Sequence, residues 1–222
     1  MKNSKEHAQR LLKLYRGLKR AGVQVDRTCY EDPVDAVIYG IVSEYRSESA
    51  AQRAMKRFHD AFVDWNEVRV SRVEEIAEVF QDAGDKNRAT AIALIAALRT
   101  IFDEHHTLSL MALKKQGKRP AKQVLDELRG ASPFVVNYCM LTALDGHAIP
   151  LTPEMMAYLK QNRIVDPNAD EEEIQGFLTR HIAAKDAYEF YGLLRQESEA
   201  PKLTKKKAAA KPKAGRETKT RK

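Results

Sequence analysis

Cysteine and histidine are the side chains that most often ligate metals or act as nucleophiles, and this chain has few of them. Its two cysteines are Cys29 and Cys139, and Cys139 lies in an apolar run that favours a buried packing role. His105 and His106 are adjacent, so on a helix they point in different directions and do not form a metal pair. Two cysteines cannot hold an iron–sulfur cluster, which needs four. We therefore expect no metal, no iron–sulfur cluster and no other cofactor.

Positive charge is concentrated at the two ends of the chain. Residues 201–222 hold eight Lys and two Arg against one Glu, a net charge of +9, so the +7 of the whole chain leaves −2 for residues 1–200. The first 20 residues add a second cluster, with seven Lys and Arg against one Glu. A tail rich in Lys, Ala and Pro cannot bury a core, which predicts disorder over residues 199–222. Such a tail binds polyanions or only solubilises the protein, and its charge density favours nucleic acid.

Length and composition are typical of a folded domain or two joined lobes. The chain has 222 residues and a hydrophobic content of 43%, enough for a buried core. There is no run of about 18 apolar residues and no apolar signal-peptide core at the start. We expect an intracellular, cytoplasmic protein, associated with the nucleoid in a bacterial host, with no membrane partner.

Helix signals extend over most of residues 1–198. Asp32 before Pro33 and Thr152 before Pro153 are typical helix starts, and Ser71 with Glu74 predicts a capping box on a helix that stops at Gly84. The segment KNRATAIALIAALRTIFDEH is apolar over much of its circumference, which predicts a central helix. No alternating strand pattern of useful length occurs, so the sequence predicts an all-α fold.

The order of these elements resembles that of the helix-hairpin-helix DNA glycosylases of the endonuclease III type. DPVDAVIYGIVSEY is similar to the family's first core helix, with Val42 and Ser43 at its Leu-Ser positions. The resemblance extends from about Pro33 to Phe190. It implies a two-lobed helical body over residues 1–198, with one lobe at 33–147 and the other formed by 1–32 and 150–198.

The segment LRGASPFVV is similar to the family's DNA-gripping hairpin, Leu-Pro-Gly-aliphatic-Gly-x-Lys-Thr-Ala. Leu128 and Gly130 match, Ser132 replaces the second glycine and Arg129 replaces the proline. Backbone N–H groups of such a turn can hold a phosphate. The resemblance implies DNA contacts from the hairpin residues Arg129, Gly130, Ala131 and Ser132.

The two positions where the family carries its reactive groups hold other residues here. Phe134 occupies the position of the Lys that attacks the sugar. The family's Asp lies 18 residues later, which is Thr152 in this chain. The spacing is kept, but the amine and the carboxylate are absent. Thr152 is still a good helix cap. The family's cysteine cluster is also absent, because residues 181–222 contain no cysteine.

Several other residues are candidates for a site, each with a plainer alternative. Glu154 and Asp145 are weak substitutes for the missing carboxylate, or are a first-turn surface carboxylate and a turn residue, respectively. Tyr45 falls where relatives place the side chain that fills the gap left by an extruded base, or it belongs to the core. Further DNA contacts are expected from Lys118 and Arg119, which otherwise form a solvated basic loop, and from the tail lysines Lys205, Lys206 and Lys207.

Three functions follow. The leading one is a monomeric protein that binds double-stranded DNA without catalysis, and the sequence favours this over an enzyme. The second is an active DNA glycosylase or abasic-site lyase of base excision repair with relocated residues, and the third is a scaffold that binds protein.

Overall fold

The computed structural model describes residues 4–81 and 85–200, and this part of the chain contains eleven α-helices and no β-strand. Two short 3-10 turns, Met111–Lys115 and Ala184–Asp186, lie between them. The helices are α1 Ser4–Arg20, α2 Pro33–Ser43, α3 Glu48–Ala61, α4 Trp65–Val70, α5 Val73–Glu78, α6 Asp85–His105, α7 Lys118–Glu127, α8 Pro133–Thr142, α9 Pro153–Gln161, α10 Glu171–His181 and α11 Ala187–Glu199. The predicted all-α fold is confirmed for these residues.

Helices α2 and α8 form the centre of the fold. All but one of the α2 residues are buried, and so are all α8 residues after Pro133. The helices approach closely at Gly40, where a Cβ atom would lie 3.3 Å from the Cα of Val135. Cys139 is fully buried in α8, and burial raises the pKa of its thiol to about 12. The predicted packing role of Cys139 is therefore confirmed.

The start of α2 is fixed by the predicted Asp32–Pro33 pair. The Asp32 carboxylate accepts a hydrogen bond from the backbone N–H of Val34 at 3.0 Å. The same carboxylate accepts from the Ser109 hydroxyl at 2.5 Å and from the Leu110 N–H at 2.9 Å. One cap residue thus also ties the segment after α6 to the start of α2.

The predicted capping box at Ser71 and Glu74 is wrong by one residue. Ser71 ends α4, with its N–H donating to the Glu67 carbonyl at 3.0 Å. Helix α5 starts after Arg72, whose N–H donates to the Glu75 carboxylate at 3.1 Å. This is one half of a capping box, because an arginine side chain has no acceptor for the other half. The expected stop at Gly84 lies outside the described residues.

Helix α6 lies along the bundle and not through its centre, where the sequence predicted it. Leu94, Leu98 and Ile101 on one side are fully buried. On the opposite side Ile92 is 48% exposed and Arg99 is exposed. The high apolar content of this helix therefore includes exposed positions that the pattern alone does not distinguish.

Helices α1 and α9 both pack on α11. The buried Arg195 joins α11 to the central helix α2, because its guanidinium donates to the carbonyls of Ser43 and Arg46, each at 3.0 Å. Arg195 also pairs with the Glu199 carboxylate at 2.9 Å. The division into a 33–147 lobe and a second lobe stays a prediction. Glu199, the first residue of the predicted 199–222 tail, is instead the last residue of α11, and residues 201–222 lie outside the described residues.

A search of the helices in residues 4–81 and 85–200 finds none with the length and apolar character needed to span a bilayer.

Candidate nucleic-acid interface

The segment between α7 and α8 is a tight hairpin. Gly130 has a φ of +82°, and a Cβ atom there would lie 2.4 Å from the carbonyl oxygen of Ala93 in α6. Only glycine fits, because other residues rarely adopt this backbone conformation and would also collide with α6. The Ala131 N–H donates to the Leu128 carbonyl at 3.1 Å, and the Ser132 hydroxyl accepts from the Val135 N–H at 3.3 Å. The helix-hairpin-helix arrangement therefore forms.

The four hairpin residues predicted to contact DNA lie together at the surface. Arg129 and Gly130 are exposed, and Ala131 and Ser132 are partly buried. Arg129 borders a shallow depression on α6 with Arg99, so two guanidinium groups lie on this side of the hairpin. A phosphate contact from these residues remains a prediction.

Phe134 faces the core. It is 1% exposed, its ring stacks on Tyr138 with the centroids 6.0 Å apart, and the guanidinium carbon of Arg195 lies 6.0 Å from its ring centre. The position that would carry the nucleophilic amine therefore holds an apolar side chain that is closed to solvent.

Thr152 is also buried, at 2% exposure. Its hydroxyl accepts from the Met155 N–H at 3.2 Å at the start of α9, which is the geometry of a helix cap. The position that would carry the family's carboxylate is therefore occupied by a structural group.

The two substitute carboxylates lie in different places. Glu154 is exposed in the first turn of α9, close enough to Tyr45 to raise its pKa. Asp145 has a φ of +48° in the turn after α8, and its carboxylate pairs with Arg27 at 3.0 Å. It borders a cavity with Lys118 at the start of α7, so it lies near the opposite end of that helix from the hairpin.

Lys118 and Arg119 are not brought to the hairpin. They lie in the first turn of α7, and ten residues of helix at 1.5 Å each place the hairpin about 15 Å away. The Lys118 ammonium donates to the Leu144 carbonyl and so holds the end of α8. The tail lysines Lys205, Lys206 and Lys207 lie outside the described residues.

Tyr45 belongs to the surface and not to the core, with 43% of its area exposed. The Lys86 ammonium lies 5.2 Å from the centre of its ring. Burial raises the pKa of Tyr45, and the carboxylates of Glu44, Glu171 and Glu154 raise it further. The ring is accessible for stacking, and a role with an extruded base stays a prediction.

Glu44 is the carboxylate beside the hairpin that sequence reasoning missed. It is partly buried directly after α2, and burial raises the pKa of its carboxyl. The hydroxyls of Ser132 and Tyr45 lie near enough to oppose this shift, while Glu171 adds to it. The only signal in the sequence is a charged residue immediately after a buried helix, which many surface glutamates share.

A cavity of about 700 Å³ opens between α8 and α10, next to these residues. Its lining includes the apolar residues Pro133, Met140 and Ala148 and an amide pair in which Asn137 donates to Gln175 at 2.8 Å. We call this cavity with its rim the acidic groove. The charged side chains that line the cavity are four carboxylates and one lysine: Asp126, Asp170, Glu171, Glu172 and Lys122. Glu44 and Glu154 border the groove at Tyr45.

The formal charge of these lining side chains is −3, and Lys122 is paired with Asp126 at 2.7 Å. Burial raises the pKa of Glu171 as well as that of Glu44, which is the expected response of carboxyls in a partly desolvated site. Within residues 4–81 and 85–200, no three His, Cys, Asp or Glu side chains are grouped so that they could hold a metal ion.

Several solved structures that this chain resembles are endonuclease III or DNA glycosylases. The chain superposes on a non-covalent endonuclease III–DNA complex with a TM-score of 0.66, at 13% identity over 85% of this chain and 84% of that one. It superposes on H. pylori 3-methyladenine DNA glycosylase bound to 1,N6-ethenoadenine with a TM-score of 0.64, at 14% identity over 87% and 99%.

A third match is Clostridium acetobutylicum 8-oxoguanine glycosylase/lyase in complex with double-stranded DNA, with a TM-score of 0.62 at 15% identity over 88% of this chain and 70% of that one. No protein-family model and no curated protein matches the sequence. The three-dimensional arrangement carries the likeness, since identity is low throughout. The chain therefore has the fold of the helix-hairpin-helix DNA glycosylase superfamily, as the order of its elements predicted.

Proposed function

We propose that this protein binds double-stranded DNA through its hairpin and its basic tail and does not excise bases. The proposal that the protein does not excise bases rests on the burial of both Phe134 and Thr152. Neither residue can supply an amine or a carboxylate, and neither is open to a substrate. General base catalysis and charge stabilisation each contribute orders of magnitude, so an enzyme lacking both groups at these positions would be very slow.

DNA binding is supported by the hairpin and by what structural neighbours bind. Two of the neighbours, endonuclease III and the 8-oxoguanine glycosylase/lyase, were solved with DNA. The hairpin of this chain keeps the glycine turn, and Arg129 is exposed at its tip. Together they provide backbone amides and a guanidinium for phosphate oxygens.

The source of affinity is expected to differ from that of a protein with a basic groove. The acidic groove lies on one side of the hairpin and would repel phosphates. Residues 201–222 carry a net charge of +9 and can neutralise several phosphates without sequence preference. Most non-specific affinity is therefore assigned to the tail, and orientation on the duplex to the hairpin.

Deletion of residues 201–222 tests this assignment. The deletion should weaken duplex binding strongly and flatten its salt dependence, because the slope falls by roughly 0.9 for each phosphate that the protein no longer neutralises. Fluorescence anisotropy with a labelled duplex at several salt concentrations measures both quantities. Arg129→Ala in the full chain is the matched comparison and should lower the affinity less. Unchanged affinity after the deletion would refute the role of the tail.

A second candidate function is a glycosylase with relocated chemistry, and Glu44 is the observation that favours it. Its carboxyl is partly buried, has a raised pKa and lies beside Ser132 of the hairpin. Such a carboxyl can activate a water, which is enough for an enzyme that only removes bases. Base release from a damaged duplex that Glu44→Gln abolishes would favour this function over the first.

A further inference from the structure

The acidic groove and the hairpin adjoin each other, although only the hairpin has a role in the proposed DNA binding. The groove combines apolar lining residues with charged lining residues whose formal charge is −3. A cationic segment with short or flexible apolar parts would fit both features, because lysine stems can cover apolar surface while their ammonium groups reach carboxylates. A DNA phosphate would not fit, because it carries the same sign of charge as the rim.

The basic tail starts close to this groove. The carboxylate of Glu199, at the end of α11, accepts from the Glu48 N–H at 2.9 and 3.1 Å. Glu48 is four positions after Glu44 at the border of the groove, a span of at most about 15 Å. Residues 201–222 could reach about 70 Å when extended. The tail therefore starts near the groove and is long enough to cross it.

Charge and composition match between the two. The tail has a net charge of +9, and its uncharged residues are mainly Ala, Thr and Pro, which are small enough to cover the apolar lining. Attachment to α11 gives the tail an effective concentration in the millimolar range. Individual exposed ion pairs are weak and screened by salt, so the contact is expected to be reversible.

We propose that residues 201–222 dock in the acidic groove between α8 and α10 when no nucleic acid is bound. The rim carboxylates then occupy the lysines that would otherwise contact phosphates. The groove acts as an internal competitor, so a duplex must displace the tail before the tail contributes to binding. This consequence for affinity rests on the proposed DNA-binding function, whereas the docking itself does not.

Paramagnetic broadening in the full-length protein without DNA tests the docking directly. A spin label is attached through Ala208→Cys in a chain that also carries Cys29→Ser, and the buried Cys139 stays unlabelled. The amide resonances of α10, of the start of α8 and of the hairpin should broaden at low salt. They should recover in about 1 M salt, where the screening length is about 3 Å.

The rim variant Glu154→Gln/Glu171→Gln/Glu172→Gln should abolish the broadening. A matched control with the same reduction of charge on remote exposed positions, Asp60→Asn/Glu78→Gln/Glu104→Gln, should retain it. Peak dispersion in the spectra shows that each variant is folded. The proposal would be overturned if no broadening is observed, if the broadening maps to other helices, or if it persists in the rim variant.

A mixing experiment shows whether the tail in the groove belongs to the same chain or to a second copy. Spin-labelled protein without isotopes is added to isotope-labelled protein without the spin label. We expect no broadening, and broadening would mean that the tail of a second copy fills the groove, which contradicts the proposal.

Duplex affinity then separates the two proposals. In the full chain, the rim variant should bind duplex DNA several-fold more tightly and the control variant should not change. The same rim substitutions should have a smaller effect when residues 201–222 are deleted. Broadening in the groove without any duplex binding would support the docking and refute the DNA-binding function. Duplex binding without broadening in the groove would refute the docking and support the DNA-binding function.

Discussion

The hairpin and positions 134 and 152, which align with the reactive groups of the resembled family, have opposite environments. Gly130 and Arg129 are exposed in a turn whose geometry requires glycine. Phe134, four residues after Gly130, and Thr152 are buried in packing and capping roles. The comparison indicates that a helix-hairpin-helix turn forms without an amine or a carboxylate at positions 134 and 152, because the turn depends on backbone geometry and not on those two side chains.

The largest effect on stability is expected from placing a lysine amine at position 134. Phe134→Lys removes a buried ring and places a charge in the core near the Arg195 guanidinium, so it should destabilise the fold by at least about 3 kcal/mol. Phe134→Leu is the control and should cost about 1 kcal/mol. Urea unfolding measures both. A Lys variant as stable as the unaltered protein would show that position 134 opens to solvent, which would contradict the contrast between the exposed hairpin and the buried Phe134.

A smaller effect is expected in the hairpin. Gly130→Ala forces a left-handed conformation on alanine and places its Cβ against the Ala93 carbonyl, which should cost about 2 kcal/mol. It should also weaken duplex binding. Gly17→Ala is a matched control, because nothing lies within 4 Å of a Cβ in that helix, and it should be neutral or stabilising by up to about 1 kcal/mol. Equal unfolding midpoints for the two variants would contradict the geometry.

The smallest effect concerns the pH dependence of stability. Burial raises the folded-state pKa of Glu44 above its ordinary value of 4.5, so the folded state holds the proton more firmly. Stability should therefore fall as the pH rises from about 4.5 through the folded pKa, and Glu44→Gln should remove part of that fall. Unfolding titrations of both proteins across this range measure the difference. Identical pH profiles would mean that Glu44 is as solvated as in the unfolded chain.

The helix starts and the hairpin could be predicted from the sequence because their signals are local. Asp32–Pro33, Ser132–Pro133 and Thr152–Pro153 each place a cap directly before a first-turn proline, and all three start helices in the structure. The error at Ser71 arose because Ser71 ends the short helix α4, which the local capping signal does not reveal.

The acidic groove could not be predicted in this way. Glu44, Glu154 and Glu171 lie in three separate helical regions, and each by itself is an ordinary glutamate at a helix end. The fold brings the end of α2 close enough to the starts of α9 and α10 for these carboxylates to act on Tyr45. The burial of Phe134, by contrast, has a local signal, since the run PFVVNYCML has no continuous polar face.

The most direct test of the central claim is base release from a panel of duplexes, each with one damaged base. The panel is incubated with the full-length protein, and released bases and strand breaks are measured. We expect neither, because no amine or carboxylate occupies positions 134 and 152. Excision that is abolished by Glu154→Gln or Glu44→Gln would contradict this account and show that the chemistry has moved to the rim of the groove.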